Sequence, residues 1–268
     1  MADADSAGIL ARDAELLKAT VREAGALALS LFRTDLKNWT KGASSPVSEA
    51  DIAVNDLLEK RLRAATPDYG WLSEESADDE RRLGKSLVWI VDPIDGTRGY
   101  LAGREDWCVS VALVENTAPV LAAVFAPASD EFFFACRGLG ATRNGMSVRA
   151  TAGTALDFAR VAGPKPLVER LNRSSGEISL HPRIGSLALR LCRVAQGNLD
   201  AAFAGGNSRD WDLAAANLIV QEADGRMTAL SGDAILYNRR EVAHGVVVAA
   251  GRDRHASIVS HFRTRPLP

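Results

Sequence analysis

Two short acidic runs set the chemistry open to this chain. Asp92-Pro93-Ile94-Asp95-Gly96-Thr97 carries one pair of carboxylates, and Ser73-Glu74-Glu75-Ser76 carries another just upstream. The bulky apolar lead from Leu87 to Val91 predicts a buried strand that delivers Asp92 at its C-terminal end. Pro93, which has no N–H for a ladder, is expected to stop that strand, and Gly96 to permit a sharp turn, so that Asp92 and Asp95 face one point. Two carboxylates held so close repel each other unless a cation sits between them. Hard divalent ions such as Mg²⁺ take oxygen ligands, and a carboxylate pair plus a backbone carbonyl, with that of Ile94 as a candidate, suits them. The pattern suggests a magnesium site built to hydrolyse a phosphate ester.

The elements that must position these groups are legible in the flanking pattern. Leu10, Ala14, Leu17, Val21, Ala24, Ala28 and Leu31 recur at steps of four and three, which predicts an amphipathic helix over 8–32. Residues 35–47, with Gly42 and Pro46, read as a mobile loop, and Ser48 as the cap of a second helix to about residue 65. The charged stretch 77–85 reads as a solvent-exposed connection. Closely spaced β signals at 107–114, 120–127 and 131–135 predict an antiparallel meander, followed by a tight turn at Asn144-Gly145 and a short strand over 147–150. Beyond 151–153, taken as a domain boundary, strands at 159–162, 201–204, 226–230 and 245–250 alternate with helices at 166–172, 186–196, 211–223 and 252–262. Such alternation predicts an α/β second half.

Composition narrows the function classes. The chain has 268 residues, 47% of them hydrophobic, enough for a large buried core. A net charge of −2, from 32 basic and 34 acidic side chains, supplies no basic excess for a nucleic acid polymer or an anionic membrane surface. A small-molecule ligand is expected instead. Cys108, Cys136 and Cys192 lack C-x-x-C spacing and read as reduced core residues. His181, His244, His255 and His261 lack metal-ligand spacing and read as surface or strand-end residues. The acidic segment Met1-Ala2-Asp3-Ala4-Asp5 stands where a secretory signal would be basic, so the cytoplasm is the expected compartment.

Four blocks in order, Ser48-Glu49-Ala50-Asp51, Ser73-Glu74-Glu75-Ser76, Asp92-Pro93-Ile94-Asp95-Gly96-Thr97 and Trp211-Asp212-Leu213-Ala214-Ala215, resemble the inositol monophosphatase superfamily of Mg²⁺-dependent, lithium-sensitive phosphatases. The resemblance covers nearly the whole chain. It implies a five-layer α-β-α-β-α sandwich, with an α+β first half (1–150) and an α/β second half (151–268) that contributes Asp212 and pocket residues. It further implies that Glu74, Asp92 and the Ile94 carbonyl hold a first ion, that Asp92, Asp95 and Asp212 hold a second, and that a third lies near Glu74 and Glu75. Mg²⁺ is the implied cofactor, with Mn²⁺ as a substitute and Li⁺ or Ca²⁺ as inhibitors. Thr97 would orient the attacking water and pass its own proton to Asp51, while the N–H groups of Gly96 and Thr97 cradle phosphate at a helix start. Lys41 and the Gly185-Ser186 turn are the implied phosphate and substrate contacts, and a homodimer is the implied assembly; Arg209, close to Asp212 in sequence, is a candidate contact for a second phosphate.

Substrate choice departs from the inositol-specific pattern. At the position nearest to the glutamate by which inositol-phosphate members recognise their substrate, this chain has Ala204. Residues 98–107 look closer to bacterial 3′(2′),5′-bisphosphate nucleotidases acting on phosphoadenosine phosphate, and also resemble a histidinol-phosphatase branch. Histidinol phosphate, sugar phosphates and inositol monophosphate stay open as substrates. So does a reading from another class, a catalytically silent metal-binding dimer that regulates a partner. Taken alone, Asp51 reads as part of a capping box, Glu74-Glu75 as a solvated pair and Trp211-Asp212 as an ordinary helix start. The Asp92–Asp95 run is different, because a buried strand ending in two aspartates without basic partners is costly for a mere turn.

Overall fold

A computed structural model describes residues 2–41, 45–175 and 177–264. The first half opens with α1 (Ala2–Leu31), whose Leu17, Val21, Ala24 and Ala28 are fully buried along one face, as their spacing predicts. Residues expected to be a mobile loop instead form an antiparallel ribbon of β1 (Asn38–Lys41) and β2 (Ser45–Ser48), with Trp39 opposite Val47. Val47 is fully buried, which supplies the apolar anchor a free loop would lack. Gly42, Ala43 and Ser44, the tip of that expected loop, lie outside the described residues. Then follow α2 (Glu49–Ala65), β3 (Gly70–Ser73), β4 (Leu87–Asp95), α3 (Thr97–Leu101), β5 (Cys108–Glu115), β6 (Ala118–Ala126), β7 (Glu131–Cys136), β8 (Ala141–Arg143) and β9 (Met146–Ser147).

Strands β3 to β9 make one seven-stranded sheet in sequence order, parallel between β3 and β4 and antiparallel elsewhere. The strand expected over 147–150 is displaced to Met146–Ser147, since the Ala150 N–H turns away to the Ala223 carbonyl. The connection expected to be solvent-exposed holds a 3₁₀ turn, Glu80–Gly84, with Arg82 buried inside it. Arg82 tolerates burial because its guanidinium donates to the Asp78 carboxylate, to Asn238 Oδ1 and to the Arg239 carbonyl.

The second half runs β10 (Arg160–Ala162), α4 (Lys165–Ser175), β11 (Ser179–Leu180), α5 (Leu187–Ala195), β12 (Ala201–Ala204), β13 (Ser208–Arg209), α6 (Asp210–Glu222), β14 (Gly225–Ala229), β15 (Ala243–His244), β16 (Val247–Gly251) and α7 (Arg252–Thr264). Its five-stranded sheet has the order β11-β10-β12-β16-β14, parallel through β11, β10 and β12 and antiparallel through β12, β16 and β14.

Alternation along single strands defines the layers. In β4, Trp89 and Val91 pack with α1 and α2, whereas Val88 and Ile90 join a cluster with α5 and α6. In β16, Val247 and Ala249 face that same helical layer, while Val248 and Ala250 pack with Leu171 of α4 and with Ile258 and Phe262 of α7. The order is therefore α1/α2, seven-stranded sheet, α5/α6, five-stranded sheet, α4/α7, the five-layer α-β-α-β-α sandwich. Helix α6 lies between two sheets, which is why Leu213 to Val220 are buried without an amphipathic gap.

Two side-chain expectations meet the structure differently. The three cysteines are free and buried, as read. His255, expected at a surface, is 3% exposed on α7 with Nε2 3.0 Å from Thr228 Oγ1; burial, aided by Arg226, pulls its pKa down to about 4. No helix among the described residues is long and apolar enough to cross a membrane.

At the end of β16 a Cβ on Gly251 would sit 2.0 Å from the Thr151 carbonyl oxygen, a backbone atom that cannot swing aside. Gly251→Ala is therefore expected to cost about 3 kcal/mol of stability. Urea denaturation checks this, and an unchanged midpoint would show that the two segments separate freely.

Candidate active site

The site begins with a fault in a β-ladder. Asp92 of β4 stands opposite Ser110 of β5, but Asp95 stands opposite Cys108, so three steps on one strand match two on the other. In a regular strand residues three apart point to opposite faces; the extra residue of this bulge turns both carboxylates to the same side. Pro93, expected to end the strand, instead sits within it at the bulge, where a missing N–H breaks no ladder bond. Gly96 follows at φ +99°, a left-handed conformation that favours glycine, and starts α3.

Neighbouring elements add two more acids. Because β3 runs parallel to β4 with Ser73 opposite Val91, the next residue, Glu74, is held beside Asp92, its N–H donating to the Val91 carbonyl. Ser73 Oγ donates to Asn55 Oδ1 of α2 at 2.7 Å, which fixes the end of β3. Asp212 comes from the first turn of α6, where its Oδ2 accepts the Arg209 N–H at 2.6 Å. Ligand oxygens of Asp92, Asp95 and Asp212 all lie within 4.8 Å of one another, and the three share with Glu74 a cavity of about 270 Å³.

These acids are poorly compensated. Burial raises the pKa of Asp92 well above the carboxylate range, and the charges of Glu74, Asp95 and Asp212 push it further. Burial, with Asp212 and Glu75, takes Glu74 to about 8, and burial with Asp95 takes Asp212 to about 7. Asp95 is raised by burial too, against hydrogen bonds from Ser186 Oγ and the Ala188 N–H, both 2.6 Å to its Oδ2. Asp92 Oδ1 is buried with no hydrogen-bond partner among the described residues. A set of oxygen donors with an orphaned carboxylate oxygen at its centre, and no ion pair to Asp92, Asp95 or Asp212 among the described residues, fits a hard divalent cation.

Thr97 Oγ1 lies 3.0 Å from Asp51 Oδ1 and 2.9 Å from the Ile94 carbonyl oxygen, so its single proton chooses between them. The other carboxylate oxygen of Asp51 accepts from the Ser48 N–H and Oγ, at 2.8 and 2.6 Å. Asp51 is thus both helix cap and partner of Thr97, and burial raises its pKa. Gly96, Thr97, Ile94 and Gly185 line the cavity. Ser186 does not: it is fully buried and holds Asp95 in place, while the Asp106 carbonyl accepts its N–H and the Asp106 carboxylate accepts that of Gly185.

Lys41 and Arg209 also lie outside the cavity lining. The Lys41 ammonium is drawn to Glu75, with a further bond of 3.2 Å to the Glu74 carbonyl, because Glu75 offers the adjacent uncompensated carboxylate. That pairing also occupies Glu75, expected beside a third ion. Arg209 meets Asp212 through its backbone, and its exposed side chain lies 3.9 Å from Glu241. Conversely, Arg98, Arg104 and Arg183 line the cavity, which the sequence did not single out. Arg98 follows Thr97 directly and Arg183 precedes Gly185 by two, so proximity to the acidic run and to the glycine turn was the available signal.

Comparisons with known proteins give a consistent result. A profile described as the inositol monophosphatase family matches residues 10–267. An inositol-1-monophosphatase of Rhizobium meliloti is 34% identical over 240 residues, covering 85% of this chain and 86% of that protein. A protein of Xylella fastidiosa named Nus factor SuhB is 36% identical over 197 residues, 69% of each. The solved structure of the extragenic suppressor protein suhB from Bartonella henselae superposes with a TM-score of 0.82 at 26% identity, over 94% of this chain and 98% of that one.

Proposed function

The chain belongs to the inositol monophosphatase family, and on that premise we propose that it is a Mg²⁺-dependent phosphomonoesterase that hydrolyses a small phosphorylated metabolite by in-line attack of water, without a phosphoenzyme. The observation that carries this reading is the convergence of Asp92, Asp95 and Asp212 within 4.8 Å, with Asp92 Oδ1 left without a hydrogen-bond partner among the described residues. Glu74, Asp92 and the Ile94 carbonyl would hold one ion and Asp92, Asp95 and Asp212 another, with Mn²⁺ as a substitute and Li⁺ or Ca²⁺ as inhibitors. A third near Glu75 would first have to displace Lys41. When bound, such cations supply charge against the phosphoryl oxygens and lower the pKa of water.

The chain's own groups supply orientation. Thr97 Oγ1 accepts a hydrogen bond from the attacking water and donates its proton to Asp51, whose raised pKa makes it a better acceptor. The N–H groups of Gly96 and Thr97 receive the phosphoryl group at the start of α3. Thr97→Ala is expected to lower kcat about 100-fold while KM shifts only a few-fold, because the hydroxyl acts on the nucleophile. Steady-state kinetics in Mg²⁺ check it, and a change confined to KM would make Thr97 a binding residue.

Inositol monophosphate is the substrate that the names of relatives favour, and a 3′(2′),5′-bisphosphate nucleotide is the one favoured by Ala204. That residue is buried in β12 and offers no polar side-chain atom to a hydroxyl. Histidinol phosphate and sugar phosphates complete the panel. Similarity to a protein named Nus factor SuhB supports a second reading, a regulator that works through a partner. Phosphate release from the panel with and without Mg²⁺, with Li⁺ as inhibitor control, separates the readings; a chain that releases none while folded is not the phosphatase proposed. The same family reading divides the chain near residue 151 and makes it a homodimer, and the three free, buried cysteines favour a reducing compartment such as the cytoplasm.

A further inference from the structure

A second cavity, of about 420 Å³, adjoins the first, and Arg183 lines both. It is formed by the end of β10, the start of α4, the stretch after β11 and one face of α5. Its charged and titratable lining among the described residues is basic throughout: Lys165, His181, Arg183 and Arg190, with no aspartate or glutamate. Arg183 is exposed and Arg190 half-buried, and neither is in an ion pair among the described residues. Arg190 is held rigidly, its guanidinium donating to the Phe203 carbonyl at 3.2 Å and the Ile184 carbonyl at 3.0 Å. Lys165 is 3.5 Å from Glu169, an exposed pair on one helix that competes weakly with an arriving anion. Pro164, Leu180 and Ile184 supply apolar lining for the body of a ligand.

The two cavities are thus complementary in sign, carboxylates at one end and, at the other, guanidinium groups that form no ion pair among the described residues. An arginine presents a planar fork of donors that matches phosphate oxygens. We propose that the second cavity is a subsite for a second phosphate group of the same substrate, with Arg183 spanning the two subsites, so that the preferred substrate is a small bisphosphate in place of a monophosphate. This rests on the phosphomonoesterase reading and sharpens its substrate class. It also gives Ala204 a sense, since a substrate gripped by its second phosphate needs no carboxylate on β12 to bind its hydroxyls.

The test compares a nucleoside 3′,5′-bisphosphate with the corresponding 5′-monophosphate. Wild-type protein in Mg²⁺ is expected to prefer the bisphosphate in kcat/KM, and Arg183→Ala to reduce that preference roughly tenfold, through KM. Lys165→Ala, which alters the second cavity alone, is expected to reduce it less, and Arg183→Lys to restore part of it. Titration calorimetry in Ca²⁺ measures the same preference without turnover. Hydrolysis of both esters with no preference, or a preference untouched by Arg183→Ala, overturns the subsite and leaves the phosphatase reading standing. Selective, Arg183-dependent binding of the bisphosphate with no hydrolysis of either ester overturns the phosphatase reading and leaves the subsite standing.

Discussion

Asp95→Asn is expected to lower phosphate release on the order of 10³-fold or more at saturating Mg²⁺ while leaving the fold intact, since cation stabilisation of phosphoryl transfer is worth several kcal/mol. The separation of the two effects comes from how Asp95 is held. Its Oδ2 takes both the Ser186 hydroxyl and the Ala188 N–H, and an asparagine can keep its one carbonyl oxygen there. The amide nitrogen then replaces the remaining oxygen, and an amide N–H₂ donates hydrogen bonds but does not ligate a hard cation. Removing one charge from beside Asp92 and Asp212 also relieves repulsion in the metal-free state, so the variant should melt no lower than wild type without Mg²⁺. Added Mg²⁺ should raise the melting temperature of the wild type and scarcely that of the variant. Phosphate release and thermal melts with and without Mg²⁺ decide the matter. Retention of more than about a tenth of the activity would remove Asp95 from the site.

What the sequence disclosed, and what it hid, follows from the range of the interactions involved. The long stripe of α1 and the apolar lead of β4 are local patterns of many residues, and both were readable. The bulge was not, because it exists only as a mismatch between β4 and β5, and Pro93 alone looked like a strand end. Asp51, Glu74, Asp92, Asp95 and Asp212 were named from short blocks, yet their convergence needs a parallel step from β3 to β4 and a helix wedged between two sheets. Ser186 was read as a substrate contact, and its hydroxyl donates to Asp95; the direction in which a side chain turns is not encoded locally. For Lys41, a partner 34 positions away decides where its ammonium goes. Arg82 lay in a stretch read as solvent-exposed, and Arg183 and Arg190 were not singled out; only tertiary neighbours make the first a buried tie and the others cavity walls. The two-residue strands β11, β13 and β15 are too short to carry any periodicity.

Without metal, the same carboxylates should make the protein less stable as the solution turns from mildly acidic to mildly alkaline. The folded state holds Glu74 at about 8 against an ordinary 4.5 and Asp212 at about 7 against 3.8, with Asp92 also raised. A carboxyl group raised in the folded state keeps its proton where the unfolded chain has lost it. Its contribution is therefore fully present below the unfolded pKa and is lost as pH rises through the folded one. Between about pH 5 and pH 8 the metal-free protein should lose on the order of a few kcal/mol, seen as a falling melting temperature in the presence of a chelator. Asp200 does not offset this: burial would raise it, but hydrogen bonds from Arg160 and Thr151 bring it to about 2, so its contribution changes only in strong acid. Magnesium reverses the trend by binding the deprotonated acids. At 100 times its dissociation constant it adds about 2.7 kcal/mol at pH 8, and much less at pH 5, where protons hold the same oxygens. Asp95→Asn, with one acid fewer, should flatten the metal-free pH profile and lose the magnesium response together. A melting temperature that climbs from pH 5 to pH 8 in chelator, or a magnesium response equal at both, would mean that these acids do not share one desolvated cavity.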